Sequence, residues 1–280
     1  MRAFRVAYNG RPFYGFQRQP NVSTVEGTLF DALGELSVFS PDAHRPTGYA
    51  AAGRTDRGVS ALAQTVAFES PEWLTPRALN SELPATVRAW ASADVADSFH
   101  ATHDAVRREY TYYQYAPREA AESLDGRPTV DDAQARAALA ALCGSHDFHN
   151  LTPDETGTRR GLSGRLTRNG VFLELEVAAG GFARELVRRL VSVINRVASG
   201  EQPIEWVDDL LGATPVEPRP PPAPPEPLVL SNVIYPGVDF VADQEAAESA
   251  RTAFGQRAVD ALAAGRVSQS VVDGLGVDSE

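Results

Sequence analysis

The sequence predicts a protein of mixed α and β structure, built as two successive α/β units. Strand-period and helix-period segments alternate along the chain, and the alternation runs through twice, once up to residue 97 and again from residue 98 to 242. A third observation is size: 280 residues at 43% hydrophobic content can fill one large core or two smaller ones. Residues 243–280 then read as an acidic helical tail.

In the first unit, Phe4, Val6 and Tyr8 alternate with other residues and end at Asn9-Gly10, the pattern of a strand running into a turn. A loop follows, then a Ser23/Glu26 capping box and an apolar stripe of Val25, Leu29, Leu33 and Leu36, which predict an amphipathic helix. Thr65–Phe68 reads as a strand, Pro76–Leu83 as a short helix and Val87–Ala91 as another strand. In the second unit, Tyr110–Tyr115 is an aromatic-rich strand, Asp131–Leu142 a helix with acids in its first turn, and Val171–Val177 a strand of clean period two. The helix predicted over Ala183–Ala198 puts Leu186, Leu190, Ile194 and Val197 on one face, with Arg184, Arg188 and Arg189 off that face and free to act. Between Pro215 and Pro227 lie eight prolines, which forbid helix and favour an extended connector. Leu228–Tyr235 resumes as a strand, Gln244–Ala264 as a helix, and the last dozen residues are expected to be disordered.

The formal net charge of -11 argues at first against a polyanionic partner. Its distribution reverses that inference: residues 201–280 carry 14 acids and 4 arginines, so residues 1–200 are close to neutral, with 23 acids and 22 arginines. Every cationic side chain is arginine, the residue best suited to forked recognition of phosphate and carboxylate. A lysine-free acidic chain resembles proteins of salt-rich cytoplasms, and GC-rich coding produces the same bias. A single cysteine, Cys143, excludes an intrachain disulfide. The opening residues lack the apolar core of a signal peptide and no apolar run is long enough to span a bilayer, so a soluble, cytoplasmic protein without membrane contact is expected.

The hexapeptide GRTDRG, Gly53–Gly58, is the segment most suggestive of chemistry. Flanking glycines permit tight turns and bring polar side chains close to a ligand. Held in such a loop at the start of a strand, Asp56 could serve as nucleophile or base; a surface turn with one weak salt bridge is the competing reading. Cys143, His146 and His149, together with His100 and His103, have spacings found among zinc ligands, which raises a zinc-dependent hydrolase as another possibility; capping and core roles suit these histidines better, because no second cysteine pair accompanies them.

Several motifs, in order, decide among these readings. AGRTDRGVSALAQTVAFE, YNGRPFYGFQRQ, STVEGTLFDAL, FHATHDAVRREYTYYQY, GSHDFHNL and GGFARELVRRLVSVI span residues 4–240 and resemble the tRNA pseudouridine synthase A (TruA) family. The resemblance implies an α+β fold of two ferredoxin-like (RRM-like) subdomains, sharing a mixed, largely antiparallel sheet with helices on one side and a central catalytic cleft. It implies a homodimer acting on tRNA at uridines 38–40 of the anticodon arm, with no cofactor and no metal. Carried over by position, it makes Asp56 the catalytic aspartate, Arg188 its ionic partner, Tyr110 the ring that stacks on the target uracil, and Arg54 the side chain that helps displace the base and fills its space. Arg11, Arg18, Arg57, Arg107, Arg108, Arg159, Arg160, Arg165 and Arg168 are candidate phosphate contacts, each with a solvated surface role as the alternative. The chain departs from the family pattern at Arg57, where alanine is common, at Ser60, where histidine is, and at Phe16, where tryptophan is. The proline-rich stretch replaces the usual approach to the last strand.

Isomerising uridine breaks the bond from ribose to the uracil nitrogen, turns the base and rejoins it through carbon. A carboxylate at the anomeric carbon could stabilise positive charge, take the adjacent proton, or add to the uracil ring. An unstacked uridine also needs an aromatic platform. A silent RNA-binding module on the same fold is the rival reading, and one that would not need the carboxylate.

Overall fold

The computed structural model describes residues 1–40 and 42–275. Its first unit runs β1 (Arg2–Tyr8), α1 (Val25–Glu35), β2 (Ala50–Ala51), β3 (Ser60–Phe68), α2 (Pro76–Asn80) and β4 (Val87–Asp94). The second runs β5 (Arg107–Tyr115), α3 (Asp132–Leu142), β6 (Gly144–Asp147), β7 (Arg159–Asn169), β8 (Phe172–Ala179), α4 (Leu186–Ala198), α5 (Trp206–Leu211) and β9 (Leu228–Ile234). β10 (Val241–Ala242) and α6 (Gln244–Gly274) follow. Among the described residues, ten strands form one sheet in the order β10-β4-β1-β3-β9-β5-β8-β7-β6, with β2 paired to β3 off that path. Within it the order β4-β1-β3-β2 of the first unit matches β9-β5-β8-β7 of the second, so the ferredoxin-like β-α-β-β-α-β arrangement occurs twice. The fold is therefore α+β, with a mostly antiparallel sheet.

Two cores follow from the two units. Phe4, Val6 and Tyr8 of β1 pack with Leu29 and Leu33 of α1 and Leu79 of α2. Tyr112 of β5 and Leu173, Leu175 and Val177 of β8 pack with Leu139 and Leu142 of α3 and Leu186, Leu190 and Ile194 of α4. β9 serves both, giving Leu228 to the second core and Leu230 and Val233 to the first. It joins β3 through only two parallel pairs, Ser60 with Val229 and Ala61 with Leu230, whereas β2 pairs with the far end of β3 at Val66 and Ala67. The joint is reinforced by buried Arg5 on β1, which donates to the Ala63 carbonyl and Thr65 Oγ1 of β3 and to the Val233 carbonyl of β9.

Several boundaries differ from the sequence reading. The cap of α1 is Thr24, whose Oγ1 accepts the Gly27 amide at 3.2 Å, one residue beyond the expected Ser23; Glu26 instead accepts the Arg18 amide at 2.8 Å. β3 starts at Ser60, five residues before the expected Thr65: its first half alternates buried Ala61 and Ala63 with exposed Leu62, and an apolar residue on the outward face hides that period in the sequence. β7 was not anticipated: Leu162 and Leu166 are four apart among arginines and glycines, as suits an exposed strand, and the Asn169-Gly170 turn into β8 is its sequence signal. α4 begins at Leu186 because Glu185 adopts a left-handed conformation, φ 60°. The tail, expected to be disordered over its last dozen residues, is helical as far as Gly274, and residues 276–280 of that expectation lie outside the described residues. Its start is capped by Asp243, which also accepts the Arg77 amide of α2.

Arg168 is among the residues expected at phosphate, and its position corrects that expectation. Its guanidinium is largely buried, paired with Asp132 at the start of α3 and donating to the Ala116 carbonyl, so each of its three nitrogens is already engaged within the fold. Hydrogen bonds from Arg168, and from Arg118 at 2.5 Å, hold the Asp132 carboxyl at about 2, against an ordinary 3.8. A depressed folded value stabilises the fold above the ordinary value, and the contribution disappears as pH falls through the folded one. Asp132→Asn is thus expected to cost about 2 kcal/mol at neutral pH, with the difference from the parent closing as pH falls from about 4 to about 2, measured by urea unfolding.

Candidate active site

The GRTDRG loop enters β3 at its joint with β9, and neighbouring backbone fixes its course. Gly53 gives its carbonyl to Nε2 of buried Gln64 at 2.9 Å, Thr55 shares a 2.8 Å hydrogen bond with the Tyr8 hydroxyl, and the Thr55 carbonyl accepts the Phe16 amide at 3.0 Å. Gly58 takes φ +82°, which L side chains resist. Gly10, in the Asn-Gly turn after β1, lies so close that a Cβ there would fall 2.0 Å from the Val59 carbonyl oxygen. Asp56 is held between these constraints, about a third exposed, at the wall of an open cleft of about 1320 Å³. That volume exceeds the roughly 300–1,000 Å³ of small-molecule pockets, as suits a segment of a larger ligand.

The opposite wall comes from the second unit. Arg188, in the first turns of α4, places Nη1 3.2 Å from Asp56 Oδ2, and its Nε donates to the Ala223 carbonyl at 2.6 Å. Tyr110 of β5 lines the same cleft, its ring met edge-on by Phe182 at 5.2 Å between centroids. Burial, and then the Asp56 charge, push the Tyr110 phenol up to about 12, against a smaller opposing effect of Arg108. The ring is therefore neutral at physiological pH and can act as a stacking platform with a hydroxyl that stays a donor.

Arg54 and Arg57 are exposed at the cleft, and neither side chain forms an ion pair among the described residues; Arg57 lies over the Tyr14 ring at 4.3 Å. Six arginines line the cleft against four carboxylates, so this surface is cationic in a protein of net charge -11. Arg108 also borders it but departs from the expectation of a phosphate contact. It is 8% exposed and gives all its donors to the carbonyls of Ala52, Thr102, Ala105 and Gly180, so it ties the approach to the loop to β5 and β8. Arg11 and Arg18 lie outside the cleft lining, Arg18 donating to the His44 carbonyl at 3.2 Å. Arg107 pairs with Glu109, Arg165 with Glu176 and Arg159 with Asp147, while Arg160 donates to the Arg159 carbonyl. Arg189, expected to be free, is largely buried against Glu185. The sequence reading assigned no role to Arg45, Phe182 or Glu185 and marked Arg184 only as free to act; all four line the cleft, three of them within GGFARELVRR.

The histidines take other places. His100 and His103 face each other at 4.2 Å, His146 Nε2 lies 2.8 Å from the Cys143 carbonyl, and His149 lies beside Asp147. Burial raises the Cys143 thiol, which keeps it protonated. Among the described residues no three His, Cys, Asp or Glu side chains come together to hold a metal ion, and no helix is long and apolar enough to cross a membrane.

Comparison with known proteins identifies the family. A family model described as tRNA pseudouridine synthase matches residues 138–236. The chain is 58% identical to the tRNA pseudouridine synthase A of Natronomonas pharaonis, covering 96% of this chain and 99% of that one. It is 55% identical to the protein of the same name from Haloarcula marismortui, over 98% and 100%, and 36% identical to that of Archaeoglobus fulgidus, over 87% of each. With identity of this order over 96% and 98% of its length, the chain belongs to the tRNA pseudouridine synthase A family.

Proposed function

We propose that the protein is a tRNA uridine isomerase, converting uridine to pseudouridine at positions 38–40 of the anticodon arm, with Asp56 as the catalytic carboxylate. The observation that carries this is the Asp56–Arg188 pair, 3.2 Å apart across the cleft with Tyr110 on the same wall. A carboxylate with an ionic partner, an aromatic platform and a cationic rim is what the reaction asks for. The target uridine leaves its stack and lies on Tyr110, Arg54 occupies the space it vacates, and Asp56 acts on the ribose or the base while Arg188 fixes its direction. Cleavage and rejoining occur within one nucleotide, so electrons and atoms balance without a redox partner. The C5 proton is the only atom lost to solvent from the base. The protein works as a homodimer, by its likeness to the family, with tRNA lying across both subunits.

Tritium release from tRNA labelled at C5 of uracil tests the assignment in one assay, run in molar potassium chloride. Asp56→Asn is expected to lower release by about 10³-fold while still binding tRNA, in line with the contribution of a positioned acid or base. Release at the parent rate would remove Asp56 from the chemistry, and no release by the parent despite binding would favour a silent RNA-binding protein.

The rim generates a second expectation. Arg57→Ala is expected to weaken tRNA binding and to reduce the slope of log affinity against log salt by about one, the signature of one lost phosphate contact. An unchanged slope would assign Arg57 to its stack on Tyr14 alone.

A further inference from the structure

We infer that the proline-rich segment 215–227 is a strap that positions Arg188 for the reaction. This rests on the reading of Asp56 and Arg188 as the working pair. Between Pro220 and Glu226 only Ala223 and Glu226 carry a backbone N–H, so the strap presents mainly carbonyl acceptors to the arginines beneath it. Ala223 bonds Arg188 twice: its carbonyl accepts Nε at 2.6 Å, and its N–H donates to the Arg188 carbonyl at 3.0 Å. One donor of the guanidinium is thereby spent on the strap, which turns Nη1 toward Asp56. The next residue, Arg189, repeats the grip. It donates to the Pro220 carbonyl and, at 2.7 Å, to Glu185 Oε2 at the left-handed start of α4.

The strap also reaches the other member of the pair. A Cβ on Gly58 would come within 3.1 Å of Pro225 Cγ, so the strap packs directly on the end of the loop that carries Asp56. Both ends are anchored. Buried Asn150 accepts the Val216 amide at 2.9 Å and donates to the Thr214 carbonyl at 3.1 Å, and the Pro227 carbonyl accepts the Tyr113 amide of β5 at 3.2 Å. A chain of prolines with fixed φ between two anchors has few conformations to lose, so it holds Ala223 in register better than an ordinary loop would. Ala223 and Arg189 are positioning residues in this arrangement and touch no substrate.

The test compares the parent with two variants, one carrying Pro220→Gly, Pro221→Gly and Pro222→Gly together, which keeps the carbonyls and frees the backbone, and one carrying Arg189→Ala. For the folded protein, kcat is expected to fall about tenfold in the glycine variant and in the same direction in Arg189→Ala, with KM for tRNA within about twofold, because misplacing a reacting group costs turnover rather than binding. Selective ¹⁵N-arginine labelling supplies a readout besides activity. The Arg188 Nε–H signal, assigned by its loss in Arg188→Ala, is expected to exchange slowly in the parent and at least about tenfold faster in the glycine variant. Lowered thermal stability with kcat and Nε–H exchange both unchanged would overturn the strap's role, and Arg189→Ala decides the matter if the glycine variant does not fold. Failure of the underlying reading is distinguishable, since Asp56→Asn would then remain active whatever the strap variants do.

Discussion

The structure turns on one strand changing partners. β3 pairs with β2 at one end and with β9 at the other, and only two residues of parallel pairing hold the second partner. Two complete ferredoxin-like units meet there at a seam, and the seam opens into the cleft. The GRTDRG loop has to lie at this point because it is the entry into β3, and α4 has to face it because β9, which follows α4 and the strap, is the strand that closes the joint. Asp56 and Arg188, 132 residues apart in sequence, are brought within 3.2 Å by that single topological fact. A site divided between two cores also needs both units to be docked before it exists.

Arginine does two separate jobs in this chain, and burial separates them. Arg5, Arg108 and Arg168 lie inside, where each spends its fork on backbone carbonyls or a carboxylate, and a buried guanidinium without those partners would be strongly destabilising. Arg54 and Arg57 stay at the cleft without a carboxylate partner among the described residues and give the local field its sign. An acidic protein can therefore present a cationic surface to RNA. Of the acids concentrated after residue 200, Glu226 comes to the edge of the GRTDRG loop beside Gly58, and among the described residues none lines the cleft, where six arginines face four carboxylates.

Preorganisation is the common thread of the site. Each member is held by groups that do not themselves react: Asp56 by Gly58, Gly10 and the Thr55–Tyr8 bond, Tyr110 by the edge of Phe182, and Arg188 by the Ala223 backbone. In the proposed reaction, such support lowers the reorganisation that would accompany bond cleavage.

Much of this was legible in the sequence because it is local. Period-two and period-3.6 patterns located β1, α1, β5, α3, β8 and α4, and the hexapeptide between glycines marked the loop. The resemblance of ordered motifs named the pair Asp56 and Arg188 and the ring Tyr110. What sequence could not supply was decided by partners distant in the chain. β7 received no assignment from the sequence because its strand character comes from β8 beside it, not from its own composition. Arg57 and Arg108 both flank motif residues, yet one is exposed and the other buried, since only the fold puts carbonyls from three segments around the second. The prolines of 215–227 showed that the connector is extended. That it lies across Arg188 and Gly58 was decided by tertiary packing, because side-chain periodicity encodes which face is buried and carries no record of what buries it.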